Sequence, residues 1–133
     1  MKQITIIIFL FLCSGCSSRS QEDFQQEGQR IAVLLTHELQ SIHTREELLQ
    51  RSSKLNQLFE ELVEVAIAAR QYRQQHPWEE LVELKREEEQ VNVRLQAELA
   101  RVCRLEGGRE AIEKCQEASL MRLDAHQKRG KVL

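Results

Sequence analysis

Residues 45–74 read REELLQRSSKLNQLFEELVEVAIAARQYRQ, and this stretch decides the fold class. Apolar or small side chains recur in it at alternating steps of four and three residues: Leu48, Ser52, Leu55, Phe59, Leu62, Ala66 and Ala69. This spacing places them on one face of an α-helix, because residues three and four apart lie above one another. The run from Val63 to Ala69 is apolar apart from Glu64, and we expect it to be the most enclosed part of the fold. The stretch therefore predicts a long amphipathic helix.

A second amphipathic pattern lies upstream, over residues 22–42. Its stripe again alternates steps of four and three residues, through Gly28, Ala32, Leu35, Leu39 and Ile42. Thr44 and Glu47 then form the pattern of a capping box, in which the hydroxyl accepts from a first-turn amide and the glutamate bonds back to the cap. We therefore expect a break near residue 43. One continuous helix is the alternative, because no glycine or proline stands there.

Downstream, His76-Pro77-Trp78 marks a junction between helices. Proline disfavours helix in the residue before it and suits the first helical position, so a third helix is expected from Trp78 to about residue 105. Glu79 and Glu80 would then place negative charge at the positive end of its dipole. Trp78 is expected to pack at this junction. A partner contact is the alternative for Trp78, because tryptophan is enriched at binding hot spots.

Gly107 and Gly108 mark the next junction, since glycine adopts the left-handed conformation that ends helices. A last helix with a weaker apolar stripe is expected over residues 109–126. Cys103 and Cys115 lie about equally far from this turn, so we predict a disulfide between the last two helices. Closing that loop would stabilise the fold by about 3 kcal/mol in the chain-entropy model. Two free thiols are the alternative.

Together these elements predict an all-α fold: a small antiparallel helical bundle of three long helices and a shorter C-terminal helix. A chain of 133 residues with a single proline suits one small domain. Aromatic residues make up only 5%, so the core must consist mostly of leucine, isoleucine, valine and alanine. We assign residues 22–127 to the bundle domain and residues 128–133 to a basic tail.

The chain begins MKQITIIIFLFLCSGC, with one lysine ahead of a short apolar run. The run is too short to span a bilayer, which needs roughly 20 apolar residues, and its surroundings are typical of a secretory signal. Leu12-Cys13-Ser14-Gly15-Cys16 resembles the lipobox of bacterial lipoproteins, in which an aliphatic residue and two small residues precede the lipidated cysteine. Cys13 stands where leucine is usual in that family. An ordinary secretory signal cut nearby and a buried N-terminal segment are the alternatives.

The resemblance implies a signal peptide over residues 1–15 that is removed, and a diacylglyceryl group on Cys16. A short tether over residues 16–21 would then join the anchor to the bundle. Two or three acyl chains on one residue hold a protein firmly on a bilayer. In that family a serine after the cysteine, here Ser17, implies the outer membrane, with the protein facing the periplasm or the cell surface.

The sequence carries no motif for catalysis: it has no glycine-rich phosphate loop, no CxxC and no HExxH. The net charge of −2 and the lack of aromatic residues among basic ones disfavour nucleic acid as a partner. None of the four histidines (His37, His43, His76 and His126) lies at metal-ligand spacing from Cys103 or Cys115, so neither a metal nor a cofactor is expected.

We therefore expect a non-enzymatic, lipid-anchored envelope protein that serves as a structural or protein-interaction module. Its partners would be the membrane, through the anchor, and another envelope protein. Homo-oligomerisation stays open, because stripes with steps of four and three residues approach the coiled-coil pattern. The alternative function is a carrier or chaperone that binds a hydrophobic ligand or client between its helices.

Overall fold

The computed structural model describes residues 20–80 and 85–131. They form four helices, α1 (Gln21–Gln40), α2 (Arg45–Gln75), α3 (Arg86–Cys103) and α4 (Gly108–Lys131). No β-strand occurs in these two ranges. The prediction of an all-helical fold is therefore confirmed.

Local capping chemistry decides where the first two helices begin. At the start of α1 the hydroxyl of Ser20 accepts from the amide of Asp23, and the Asp23 carboxylate accepts from the Ser20 amide at 2.8 Å. At the start of α2 the hydroxyl of Thr44 accepts from the amide of Glu47 at 3.2 Å. The Glu47 carboxylate bonds back one residue earlier than expected, to the amide of His43 at 3.0 Å. The break near residue 43 is present, and the continuous helix is wrong.

Helix α2 is the central element, because it packs against both α1 and α4. The start of α1 lies beside the end of α2, where the ring centroids of Phe24 and Tyr72 are 5.7 Å apart. Near the other end of the pair, Arg51 of α2 donates to the carboxylate of Glu38 in α1 at 3.0 Å. These two contacts hold the first two helices side by side along most of α1.

Helix α4 also packs along α2, but its direction relative to α2 differs from that of α1. Cys115, near the start of α4, contacts the backbone of Ser52, and Arg122, farther along, pairs with Glu64. The contact residues advance in the same order along both helices, so α4 runs in the same direction as α2 and its start lies near the start of α2. The predicted antiparallel arrangement is therefore not confirmed. Helix α3 packs against α1 and, to a smaller extent, against α4.

The core lies around the connection between α1 and α2. Its largest fully buried side chains are Ile31, Leu35, Leu39, Ile42, Leu48, Leu55, Leu58 and Val102. Each such side chain contributes about 1.5–3 kcal/mol relative to leaving it exposed. Side chains of α3 (Leu95, Leu99) and α4 (Ile112, Cys115) complete the cluster at this end.

The expectation that residues 63–69 are the most enclosed part of the fold is wrong. Ala66 is exposed, and Val65 and Ala69 are only half-buried. The side chains that α3 and α4 add to the core gather around the first half of α2, so its second half is left as the wall of an open groove against α1. The helical spacing identified the correct face, but not how far the neighbours extend along it.

The lengths of the last two helices also differ from expectation. Helix α3 has 18 residues and begins at Arg86, and residues 76–80 are not helical, so a helix beginning at Trp78 is wrong. Helix α4 has 24 residues, and the predicted order of three long helices and a shorter last one is not confirmed. The backbone of α4 stays helical to Lys131, within the predicted basic tail, and Lys128 pairs with Asp124 one turn earlier at 3.0 Å.

The glycine pair between α3 and α4 has two separate functions. Gly107 has a φ of +68°, in the left-handed region that disfavours side chains. Gly108 is buried, and a Cβ atom on it would overlap the backbone carbonyl oxygen of Val102. Glycine is therefore required at both positions for α4 to leave the end of α3 by so short a turn.

Candidate interaction surfaces

Four rings form a continuous row at the end of the molecule where α1 begins and α2 ends. We call Phe24, Tyr72, His76 and Trp78 the aromatic row. Phe24 and Tyr72 are tilted with centroids 5.7 Å apart, Tyr72 and His76 are stacked at 4.1 Å, and Trp78 meets His76 edge-on at 5.5 Å. Such tilted and stacked pairs add about 0.5–1.5 kcal/mol each beyond the area they bury.

Hydrogen bonds fix the loop that carries Trp78. The hydroxyl of Tyr72 donates to both carboxylate oxygens of Glu79, at 3.0 and 3.1 Å, and the side-chain amide of Gln21 donates to Glu79 at 3.1 Å. The Nδ1 atom of His76 lies 2.9 Å from the carbonyl oxygen of Tyr72, which only accepts, so this nitrogen carries the proton. Glu79 therefore joins three segments and does not begin a helix, contrary to the sequence prediction.

Trp78 itself is 74% exposed. The ring of His76 meets its edge, and at this exposure the prediction of a tryptophan packed at the junction is wrong. Its exposure leaves Trp78 as a candidate contact residue. The proline before it signalled a junction, but nothing local indicated on which side the ring would lie.

The structure perturbs the titration of the Tyr72 phenol. Its hydrogen bond to Glu79, then its burial, then the negative charge of Glu79 raise the pKa of Tyr72 above its ordinary value of about 10. Because the folded pKa exceeds the unfolded one, the bond stabilises the fold fully below about pH 10. This contribution is lost as the pH rises through the folded pKa.

We expect Glu79→Gln to lower the pKa of Tyr72, because the amide still accepts a hydrogen bond but carries no charge. The chain has a single tyrosine, so the phenolate absorbance in the near ultraviolet reports this group alone. Glu80→Gln removes the same charge from the adjacent residue and is expected to leave the titration nearly unchanged. Equal shifts in both variants would contradict the assignment of Glu79 as the partner.

A groove of about 500 Å³ runs between α2 and α4 near the starts of both helices. We call it the α2–α4 groove. Its rims carry Leu49 and Met121, which are 54% and 67% exposed, and Leu120 lies exposed beside them. Small side chains, among them Ser53, Ala111 and Ala118, line the groove between these rims. Asn56, Lys114 and Glu117 also line it, so the groove is an open trough of mixed polarity bounded by large, solvent-exposed hydrophobic side chains.

A second, smaller groove of about 280 Å³ lies between α1 and α2, next to the aromatic row. Its lining is apolar along most of its length and includes Phe24, Gly28, Leu62, Val65, Ala66 and Ala69. A Cβ atom on Gly28 would lie 3.8 Å from Cγ1 of Val65, an ordinary van der Waals contact, so a side chain can begin there without overlap and extend into the groove.

Cys103 and Cys115 are both free thiols, so the predicted disulfide is not confirmed. Equal distance from the turn does not set the rotation of each helix about its own axis. Here α4 packs mainly on α2, and the thiol of Cys115 donates to the carbonyl oxygen of Ser52 at 3.6 Å. Burial raises the pKa of the Cys115 thiol, and the neighbouring charge of Lys114 partly opposes this.

We expect the two thiols to react with an alkylating reagent at very different rates. Cys103 is half-buried and should react in the native protein, whereas Cys115 is buried with a raised pKa and should react only after unfolding. Mass spectrometry of the unreduced protein, alkylated before and after denaturation, measures the extent of reaction at each of the two cysteines. Failure of both thiols to react after denaturation without reductant would indicate a bond between them.

In the part of the chain described here, no group of three or more histidine, cysteine, aspartate or glutamate side chains is placed to hold a metal ion. None of the four helices combines the length and the apolar character needed to cross a bilayer. Cys16, the predicted lipidation site, lies outside the described residues, as does the predicted signal peptide. No protein-family model, curated protein or solved structure matches this chain.

Proposed function

We propose that this chain is a lipid-anchored protein of the bacterial envelope that holds a partner protein in its α2–α4 groove. In this proposal a helical bundle, without catalytic activity, is carried on a diacylglyceryl group at Cys16 and faces the periplasm or the cell surface. The lipobox resemblance of residues 12–16 supports the anchor. The observation that carries the interaction role is the pair of large hydrophobic side chains, Leu49 and Met121, exposed on opposite rims of one trough.

The shape of the groove favours a helix as its occupant. A trough between two packed helices accepts the apolar face of a third, a common mode of peptide recognition. Ala111 and Ala118, seven residues apart on α4, leave room for close approach. Met121 is unbranched and polarisable, so it adapts to the surface of a partner.

The charges beside the groove narrow the chemistry of this partner. Glu110, Glu113 and Glu117 follow one another along α4 at steps of three and four residues, on the side that also carries Leu120 and Met121. Arg109 already pairs with Glu113 at 3.3 Å, and Lys114 supplies one positive charge nearby. The acidic excess favours an amphipathic helix with apolar anchors and lysine or arginine along one edge.

Site-specific photocrosslinking in intact envelopes tests this role. A photoreactive residue at Met121 is expected to crosslink one discrete protein, and the crosslinked peptide should belong to a basic amphipathic helix. The matched control is the same residue at Val93 of α3, which is likewise 67% exposed but lies outside the groove. Introducing Leu49→Glu should abolish the Met121 crosslink, because it places a charge on the opposite rim.

The outcomes separate the occupants clearly. A crosslink to a second copy of this chain would mean that the groove is an interface of a homo-oligomer, which overturns the proposed partner protein. A crosslink to lipid would also overturn the proposal. Equal yields at Met121 and Val93 would show that the groove is not selective. Mass spectrometry of the mature N-terminus tests the anchor separately, since an unmodified full-length chain in the membrane fraction contradicts acylation at Cys16.

The groove between α1 and α2 supports a second candidate function, carriage of a hydrophobic ligand. Its volume of about 280 Å³ and its apolar lining suit an acyl chain. Gly28→Leu would fill this space, and we expect it to abolish binding of a fluorescent fatty acid if the carrier function holds. The control Val33→Leu changes a half-exposed position of α1 outside the groove lining. Binding that persists in Gly28→Leu would exclude this groove as the ligand site.

A further inference from the structure

We propose that Trp78 and the aromatic row lie against the bilayer surface, with the indole of Trp78 in the headgroup region of zwitterionic phospholipids. This inference rests on the proposed lipid anchor at Cys16. It assigns the end of the molecule that faces the membrane and leaves the α2–α4 groove pointing away from it.

The first argument is the length of chain between the anchor and the fold. Ser20, which caps α1, is the fourth residue after Cys16. Even a fully extended chain spans only about 14 Å over that number of residues. The start of α1 is therefore held close to the headgroups, and whatever surrounds it shares that position.

The second argument is what surrounds the start of α1. Gln21, the first residue of the helix, donates to Glu79, the residue after Trp78, at 3.1 Å. Phe24, one turn into α1, begins the row of rings that ends at Trp78. The loop that carries the indole is thus tied directly to the segment that the tether holds near the membrane.

The third argument is the chemistry of the exposed group. An indole has an apolar body and one N–H donor, and tryptophan is enriched where membranes meet water for that reason. Trp78 is 74% exposed and its ring meets that of His76 edge-on, while the bonds to Glu79 hold its loop in place. A fixed, exposed indole at the tethered end is suited to contact the headgroup region.

The charges around Trp78 select the type of lipid. Glu79 and Glu80 follow it directly, Glu22 and Asp23 lie in the first turn of α1, and Arg73 lines the groove beside the aromatic row. The four carboxylates outnumber this guanidinium, so the local charge repels anionic headgroups and is compatible with the ammonium group of phosphatidylethanolamine. The predicted surface is therefore zwitterionic lipid.

Fluorescence of the lipidated protein in vesicles tests the inference, because Trp78 is the only tryptophan in the chain. The vesicles contain phosphatidylethanolamine and phosphatidylcholine, with a fraction of the acyl chains brominated to quench indoles at the interface. We expect a blue-shifted emission and strong quenching of Trp78. Replacing phosphatidylethanolamine by phosphatidylglycerol should weaken the quenching, and stronger quenching would overturn the choice of zwitterionic lipid.

The matched control moves the tryptophan to the other end of α2, in the double variant Trp78→Phe with Leu49→Trp. Position 49 is also exposed but lies 26 residues before the end of α2, or roughly 39 Å along the helix. We expect its quenching to be severalfold weaker than that of Trp78, and circular dichroism should show the same helix content in both proteins. Equal quenching at the two positions would overturn the assigned orientation.

Flotation of the vesicles separates this inference from the proposed anchor. If the protein floats with the vesicles but Trp78 is not quenched, the contact between Trp78 and the membrane is overturned while the anchor stands. The exposed indole would then be expected to contact a protein partner. If the protein does not float, the proposed anchor is overturned, and the membrane contact of Trp78 that depends on the anchor is overturned with it.

Discussion

Replacing Leu48 by alanine is expected to lower the free energy of unfolding by about 3 kcal/mol, within the range of 2–5 kcal/mol that buried leucines show. Leu48 is completely buried at the first turn of α2, in the cluster that joins α1, α2 and α3. The neighbours can collapse only partly into the space that its side chain leaves. Because small domains are stable by only about 5–15 kcal/mol, the loss should be obvious in urea or thermal unfolding followed by circular dichroism.

The matched control is the adjacent residue. Leu49 is 54% exposed, so Leu49→Ala is expected to change the free energy of unfolding by less than about 0.5 kcal/mol. The same substitution should weaken capture of the partner helix, since Leu49 forms one rim of the α2–α4 groove. Similar destabilisation by both changes would mean that α2 is rotated about its axis relative to the structure.

Replacing Arg101 by methionine is expected to lower the free energy of unfolding by about 2 kcal/mol, because its guanidinium donates to backbone carbonyl oxygens where α1 ends. The side chain donates to the carbonyl oxygens of Leu39 and Ile42, at 2.7 and 2.9 Å, and to the carboxylate of Glu98 at 2.8 Å. Its positive charge also meets the negative end of the α1 dipole. Methionine keeps the packing of the stem, so the measured loss reports the charged head.

Two further variants test this interpretation. Arg101→Lys keeps the charge but not the forked donor, and we expect about half of the loss. Arg109→Met removes a much more exposed arginine, whose pair with Glu113 is 3.3 Å long, and it should cost less than about 0.5 kcal/mol. If Arg109→Met proved as costly as Arg101→Met, general surface charge would explain the effect better than the contact with α1.

The structure shows which physical signals the sequence carries well. The buried face of α2 followed from spacing alone, because Leu48, Leu55 and Phe59 repeat with the period of the helix. The start of α2 at residue 45 followed from the side-chain chemistry of Thr44 and Glu47, which acts within one turn. Both features depend on neighbours a few residues away, which a sequence displays directly.

The features that were mispredicted depend on distant partners. Glu79 accepts from Gln21, a residue 58 positions earlier, and lies in a loop where a helix beginning at Trp78 was expected. Cys115 turns towards Ser52 of α2, 63 positions away, and not towards Cys103. The periodicity of a single helix contains no information about such pairings, which arise only when helices pack.

The α2–α4 groove, similarly, was not visible in the sequence. Leu49 and Met121 appear there as two unremarkable apolar residues far apart in the chain, and only the packing of α4 onto α2 makes them opposite rims of one trough. The sequence feature that pointed towards such a groove was the weaker apolar stripe of the last helix, because it indicated that part of α4 does not pack in the core.

The side-by-side contact of α1 and α2 has a mechanical consequence. In the proposed arrangement, a load between the anchor at Cys16 and a partner near Leu49 would pass along α1 and through residues 41–44, because these residues join the end of α1 to the start of α2. The Phe24–Tyr72 and Glu38–Arg51 contacts hold α1 against α2 along this path. Stretching α1 would therefore require breaking these contacts as well as the hydrogen bonds of the helix.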